Sequence, residues 1–121
     1  MHILVVDDSK FMRRTIKKAL DQLGSFTVVE AANGREALAK IDQDQFDLVM
    51  SDWNMPVMNG LELVIELRRT HDVPILMLTT VGCREDVTAA LQAGVNNYIL
   101  KPLRTEELQA KLKRIFPDRF P

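Results

Sequence analysis

Apolar residues recur along this chain in two alternating rhythms. Short, largely apolar runs rich in Val, Ile and Leu occupy 3–6 (ILVV), 26–29 (FTVV), 47–50 (DLVM), 74–78 (PILML) and 97–100 (NYIL). They read as five strands. Polar residues hardly interrupt them, the pattern of strands covered on both faces, as in a parallel sheet. Between the runs the period lengthens. Over 10–23, Met12, Ile16, Ala19, Leu20 and Leu23 fall on one helical face and Lys10, Arg13, Arg14, Lys17 and Lys18 on the other, with Gly24 placed to end the helix. Asn33 with Glu36, and Asn59 with Glu62, have the spacing of a capping residue and its acidic partner, and predict two further helix starts. Residues 85–93, closed by Gly94, and 105–116, opening Thr-Glu-Glu with Leu108, Leu112, Ile115 and Phe116 on one side, complete the set.

Strand then helix, five times over, predicts an α/β fold: an open sheet with right-handed crossovers and helices on both faces. The chain has 121 residues, 46% of them hydrophobic, which is room for one core and one domain over 1–121. Sixteen Lys and Arg against seventeen Asp and Glu leave a formal charge of -1, so no global field favours nucleic acid or an anionic membrane. Met1 and His2 run straight into Ile3–Val6 without the basic start and long apolar core of a secretion signal, and a cytoplasmic protein is expected. Cys83 is the only cysteine; it has no disulfide or metal partner of its own kind and reads as a small loop or helix-start residue.

In open α/β sheets the working site lies beyond the carboxyl ends of the strands. Here the first run ends in Asp7-Asp8, the third in Asp52, the fourth in Thr79-Thr80 and the fifth in Lys101-Pro102. Taken singly, each has a plainer meaning: a helix cap for Asp-Asp-Ser, a turn residue for Asp52, a backbone-bonded hydroxyl for Thr79, a surface lysine for Lys101. Caps and turns do not explain acids closing strands one and three and Lys-Pro closing strand five at one edge. At about 5 Å and an effective dielectric near 20, each carboxylate pair repels by roughly 3 kcal/mol. A hard divalent cation offsets that, and all-oxygen ligands with water completing the shell favour Mg²⁺.

Val5-Val6-Asp7-Asp8, Met12-Arg13-Arg14, Ser51-Asp52-Trp53-Asn54-Met55-Pro56, Asn59-Gly60-Leu61-Glu62-Leu63, Leu76-Met77-Leu78-Thr79, Ala93-Gly94 and Tyr98-Ile99-Leu100-Lys101-Pro102 together resemble the receiver domains of response regulators, most closely the stand-alone receivers of chemotaxis. The resemblance covers essentially the whole chain. It implies a single doubly wound, flavodoxin-like domain with strand order 2-1-3-4-5 and five helices. It also implies that Asp52 is phosphorylated, that Asp8, Asp52 and the main-chain carbonyl of Asn54 bind Mg²⁺ directly with Asp7 acting through water, and that Thr79 and Lys101 hold the phosphoryl oxygens. An ionised Asp52 needs no general base, only alignment and charge cancellation.

By the same resemblance, Thr79 and Tyr98 form the switch, and helix four, strand five and helix five form the partner surface, with Arg84, Tyr98, Lys111 and Arg114 on it. The partners implied are a sensor histidine kinase or phosphotransfer protein and a downstream target such as the flagellar motor switch. The protein is expected to be a monomer and a signalling phosphoacceptor, not an enzyme acting on a separate substrate. A phosphorelay intermediate, or a single-domain regulator outside chemotaxis, is the alternative. The basic stripe on helix one reads first as a solvated face and second as a docking face for phosphodonors. His2 and His71 read as structural or surface residues, and the methionines as core filling.

The chain departs from the chemotaxis receivers at Val81, apolar where they have an acid, and at Leu103, where they have an aromatic residue. Phosphate lifetime and partner surface are the properties these changes touch. The segment from helix three to strand four also looks about three residues shorter, a change typical of loops. A magnesium-dependent phosphatase with an aspartyl-phosphate intermediate resembles a different pattern, two aspartates separated by one residue, which Asp7-Asp8 lacks. A flavin-binding relative would need a Ser/Thr/Gly-rich loop after strand one, where two acids would repel the flavin phosphate. A receiver that binds partners without phosphorylation would not need all five site positions.

Overall fold

The computed structural model describes residues 1–80 and 84–119, with the side chains of 84–86 outside that description. Ten elements alternate: β1 (His2–Val6), α1 (Lys10–Asp21), β2 (Thr27–Ala31), α2 (Gly34–Gln43), β3 (Leu48–Asp52), α3 (Gly60–Arg68), β4 (Ile75–Thr79), α4 (Arg84–Ala93), β5 (Asn97–Leu100) and α5 (Thr105–Ile115). All four strand pairings are parallel, and the order across the sheet is β2-β1-β3-β4-β5. The α/β, flavodoxin-like expectation is met. The strand order changes direction at β1, between β2 and β3, and Asp7 and Asp52 lie at the carboxyl edge there, where open sheets of this kind place their ligand sites.

Why the central strands read as unbroken apolar runs is plain from where their side chains go. Ile3, Val5, Leu48, Met50, Leu76, Leu78 and Ile99 pack with Ile16, Leu20, Leu108 and Leu112 of α1 and α5. Leu4, Val6, Val49, Ile75 and Met77 pack on the other face with Ala37 and Ile41 of α2, Leu63, Val64 and Leu67 of α3, and Ala90 of α4. Successive residues point to opposite faces, and both faces are covered. The edge strands β2 and β5 carry exposed positions and read less cleanly.

The helix starts follow from their caps. Ser9 Oγ accepts the Met12 N–H at 3.2 Å to open α1. Asn59 and Glu62 form a complete capping box at α3, at 2.8 and 3.1 Å. At α2 the box is incomplete: Asn33 caps Glu36, but the Glu36 carboxylate reaches the Ala32 N–H instead of its own cap. α1 ends at Asp21, with Gln22 as its C-cap, short of the expected stop at Gly24. Gly94 does end α4, at φ 116°, with the Val95 N–H bonded to the Ala90 carbonyl at 3.2 Å and the Gly94 N–H to Leu91 at 3.1 Å, a Schellman closure.

Candidate functional site

Two strand ends lie one or two residues beyond where the apolar pattern stops, and the shift matters. β3 runs through Asp52, which pairs with Leu78, and β4 runs through Thr79, which pairs with Leu100. The polar residues are therefore held by the ladder, not by loops. Asp7 directly follows β1 and is fixed to the sheet by its N–H, 3.1 Å from the Ala31 carbonyl of β2. Lys101 follows β5 on a cis Lys101-Pro102 peptide, its N–H bonded to the Thr79 carbonyl at 2.8 Å.

These placements bring four of the expected side chains together. One oxygen from each of Asp7, Asp8 and Asp52 lies within 4.8 Å of the others. Lys101 Nζ stands 2.9 Å from Asp52 Oδ1 and 3.6 Å from Asp7 Oδ2. Asp7 and Asp52 are buried, whereas Asp8 is exposed. The Asp7 Oδ1 atom accepts the Ser9 N–H at 2.9 Å, but buried Oδ2 accepts no hydrogen bond from the described residues, and Lys101, its cationic neighbour, lies beyond bonding distance at 3.6 Å. Burial pushes the Asp7 carboxyl above its ordinary range; the charges of Asp52 and Asp8 add to the rise, while the Ser9 N–H and Lys101 oppose it.

A site with excess negative charge, all-oxygen donors and a buried carboxylate oxygen lacking a hydrogen bond fits a hard divalent cation. Asp7, Asp8 and Asp52 are the side chains that could hold one.

Thr79 is buried at the end of β4, next in the chain to Leu78, the register partner of Asp52. Asn54 is exposed two residues beyond Asp52. Tyr98 lies outside the cluster, half-buried in β5; Lys111 of α5 sits 5.2 Å from its ring centroid and donates to Asn97 Oδ1 at 3.0 Å. Arg114 is exposed on α5, and the Arg84 side chain, like Val81 and Cys83, lies outside the described residues. Gly60 closes the loop after Asp52: a Cβ there would meet the Asp52 carbonyl oxygen at 2.4 Å.

The profile of the response regulator receiver domain matches residues 3–113. The chain belongs to that family. This receiver is 49% identical over 117 residues to the chemotaxis protein CheY1 of Helicobacter pylori, covering 93% of this chain and 94% of the relative. It is 47% identical over 119 residues to the CheY homolog of Campylobacter jejuni, covering 95% and 92%. Among solved structures it is similar to the chemotaxis protein CheY4 of Vibrio cholerae, with TM-score 0.85, 39% identity and coverage of 94% and 97%. A two-component response regulator from Clostridium difficile aligns with TM-score 0.91 at 28% identity, covering 100% and 99%.

Three features of this receiver escape the strand-end argument. Arg13 donates through Nη1 to the Asp7 carbonyl at 2.7 Å and through Nε to Glu30 at 3.0 Å, so one member of the basic stripe faces the site and not solvent. Phe11 breaks the polar face of α1 and is 76% exposed beside Arg14, Thr15 and Lys18. An apolar residue out of phase with its helix was the available signal. Val57, in the loop after Asp52, is exposed at φ 71°, an uncommon conformation for a β-branched residue. His2 and His71 take structural places, His2 with its ring centroid 4.4 Å from that of Phe46 and His71 Nε2 3.7 Å from Asp42.

Proposed function

We propose that this receiver accepts one phosphoryl group on Asp52 from a phosphohistidine donor and relays the event to a partner surface on α4, β5 and α5. The observation that carries the reading is the 2.9 Å approach of Lys101 to Asp52 inside the Asp7, Asp8 and Asp52 cluster. An Asp52 carboxylate oxygen forms a bond to phosphorus as the bond from phosphorus to the donor nitrogen breaks, and the electron pair leaves with the imidazole. Lys101 neutralises charge on the phosphoryl oxygens, and the Thr79 hydroxyl, at the neighbouring strand end, bonds one of them.

Asp8, Asp52 and the Asn54 carbonyl would hold Mg²⁺ directly and Asp7 through water, and the ion would supply charge neutralisation and alignment when bound. The chain's own part is to hold the nucleophile on a ladder residue, exclude bulk water from Asp52 and present a cation across the sheet. Movement of Thr79 toward the new oxygens opens space for Tyr98, whose ring already lies against α5 through Lys111. Leu91 of α4 and Leu100 of β5, 47% and 42% exposed, give that surface apolar contact points.

The likeness to chemotaxis proteins supports a diffusible messenger in chemotaxis, receiving phosphate from a histidine kinase and acting on a target such as the flagellar switch. Among the described residues no helix is long and apolar enough to cross a membrane. The test is phosphotransfer profiling: phosphorylated histidine kinases are offered to the wild type and to Asp52→Asn. Rapid transfer from a chemotaxis kinase to the wild type alone is expected; equal transfer to both proteins overturns the assignment.

A further inference from the structure

Asp7 is held at three atoms. Its N–H bonds the Ala31 carbonyl of β2 at 3.1 Å, its Oδ1 accepts the Ser9 N–H at 2.9 Å, and its carbonyl oxygen accepts Arg13 Nη1 at 2.7 Å. Arg13 is bound in turn by Glu30, whose Oε1 lies 3.0 Å from Nε, and its side chain is only 14% exposed. Glu30 sits opposite Val5 in the β1–β2 ladder, one residue before Ala31. A single guanidinium therefore ties the second turn of α1 to the end of β1 and to the edge strand β2, around the turn that carries Asp7, Asp8 and Ser9.

We propose that Arg13 is a positioning residue for the acidic cluster: with Glu30 as its anchor, it fixes the Asp7 peptide so that the carboxylates of Asp7 and Asp8 face the cation site. The inference rests on the divalent-cation reading given above. A planar fork is needed because Nη1 and Nε reach two acceptors at once, one just past the end of β1 and one on β2; a lysine ammonium on a flexible stem can hold only one of them in the same geometry. Partners that orient metal ligands from behind contribute a substantial share of metal affinity although they touch no metal.

The opposing reading is that Arg13 acts only as a nearby positive charge, and the two differ in sign. A mere charge beside the cluster competes with a cation, so removing it tightens binding. A positioning residue weakens binding when removed, despite the lost repulsion.

The experiment is Mg²⁺ titration by calorimetry of the wild type, Arg13→Met, Arg13→Lys, Glu30→Ala and Glu30→Gln, with melting temperatures taken without divalent cation. Arg13→Met and Arg13→Lys are expected to bind Mg²⁺ about tenfold more weakly. Glu30→Ala should weaken binding by less, and Glu30→Gln, whose amide oxygen still accepts from Nε, should stay close to the wild type. Should Arg13→Met fail to fold, Arg13→Lys, which keeps the charge and the stem, decides the matter. Unchanged or tighter binding in either Arg13 variant overturns the inference, as does a lowered melting temperature with unchanged affinity, which marks a purely structural clamp. Absence of Mg²⁺ binding by the wild type overturns the cation reading itself, and this inference with it.

Discussion

Asp52 and Lys101 meet at 2.9 Å although they come from strands that are not neighbours. β4 lies between them, and two strand spacings amount to roughly 10 Å. Only a long side chain covers that span, and it must cross the end of β4 at Thr79, whose carbonyl holds the Lys101 N–H. The contact places Lys101, the one cation of the cluster among the described residues, over the proposed nucleophile, while leaving Asp7 Oδ2 without a hydrogen bond there.

Lys101→Ala removes this cation from a site where three carboxylates converge. Without divalent cations the variant should melt below the wild type, because the acids then repel one another uncompensated. Mg²⁺ should bind it as well or better and should recover more stability than in the wild type. Phosphorylation should no longer alter partner binding. Thermal melts with and without Mg²⁺, and a partner-binding assay on the phosphorylated variant, check these outcomes; phosphate-dependent partner binding that persists would remove Lys101 from the coupling role.

The raised pKa of Asp7 carries a pH signature. A carboxyl that holds its proton more tightly in the folded protein than in the unfolded chain makes stability fall as pH rises from the ordinary aspartate range through the raised value. The cost is fully present above the raised value and vanishes in acid, where both states are protonated. Asp7→Asn is neutral throughout and should melt above the wild type at pH 7 in the absence of divalent cations, with the gain shrinking toward about pH 4. Mg²⁺ should stabilise the wild type more than the variant. A variant that melts lower than the wild type at pH 7 contradicts the assignment of Asp7 as a strained, buried carboxylate.

Gly60 is required by contact and not by its backbone angle. A Cβ there would sit 2.4 Å from the Asp52 carbonyl oxygen and 2.9 Å from Trp53 Cα, both main-chain atoms with little room to give. The Gly60 N–H also bonds the Trp53 carbonyl at 2.8 Å. Gly60→Ala should cost about 1–3 kcal/mol and slow phosphorylation, because the displaced backbone is that of the proposed phosphoacceptor. Denaturant unfolding alongside labelling rates checks both; wild-type values would mean that the loop relaxes freely.

Much of this was legible in the chain because both sheet faces are covered. Full burial makes Ile3–Val6 and Ile75–Leu78 read as unbroken apolar runs, and the acids and the lysine stand out as the residues that end them. Asp52 and Thr79, read from the sequence as the residues that close their strands, do end β3 and β4, but that they still pair in the ladder left no signal, because a hydrogen-bonded polar residue carries none in hydropathy. Arg13 was lost in the basic stripe of α1, since periodicity marks a face and cannot tell solvent from a neighbouring strand end. Gly24 misled because α1 closes at Gln22 with ordinary helical angles, leaving no left-handed position for a glycine to fill. Glu36 has the spacing of a capping box, but its rotamer selects the Ala32 N–H, a choice that spacing does not encode.

The most direct measurement is the intact mass of the wild type and of Asp52→Asn after incubation with acetyl phosphate, with and without Mg²⁺. The site brings the proposed nucleophile, Lys101 and the acidic cluster together, so the proposal requires no partner protein for labelling. The expected result is one phosphoryl adduct on the wild type, dependent on Mg²⁺, and none on Asp52→Asn. Equal labelling of both proteins, or an unlabelled wild type with every small donor tried, would contradict the proposal that Asp52 is the phosphoacceptor.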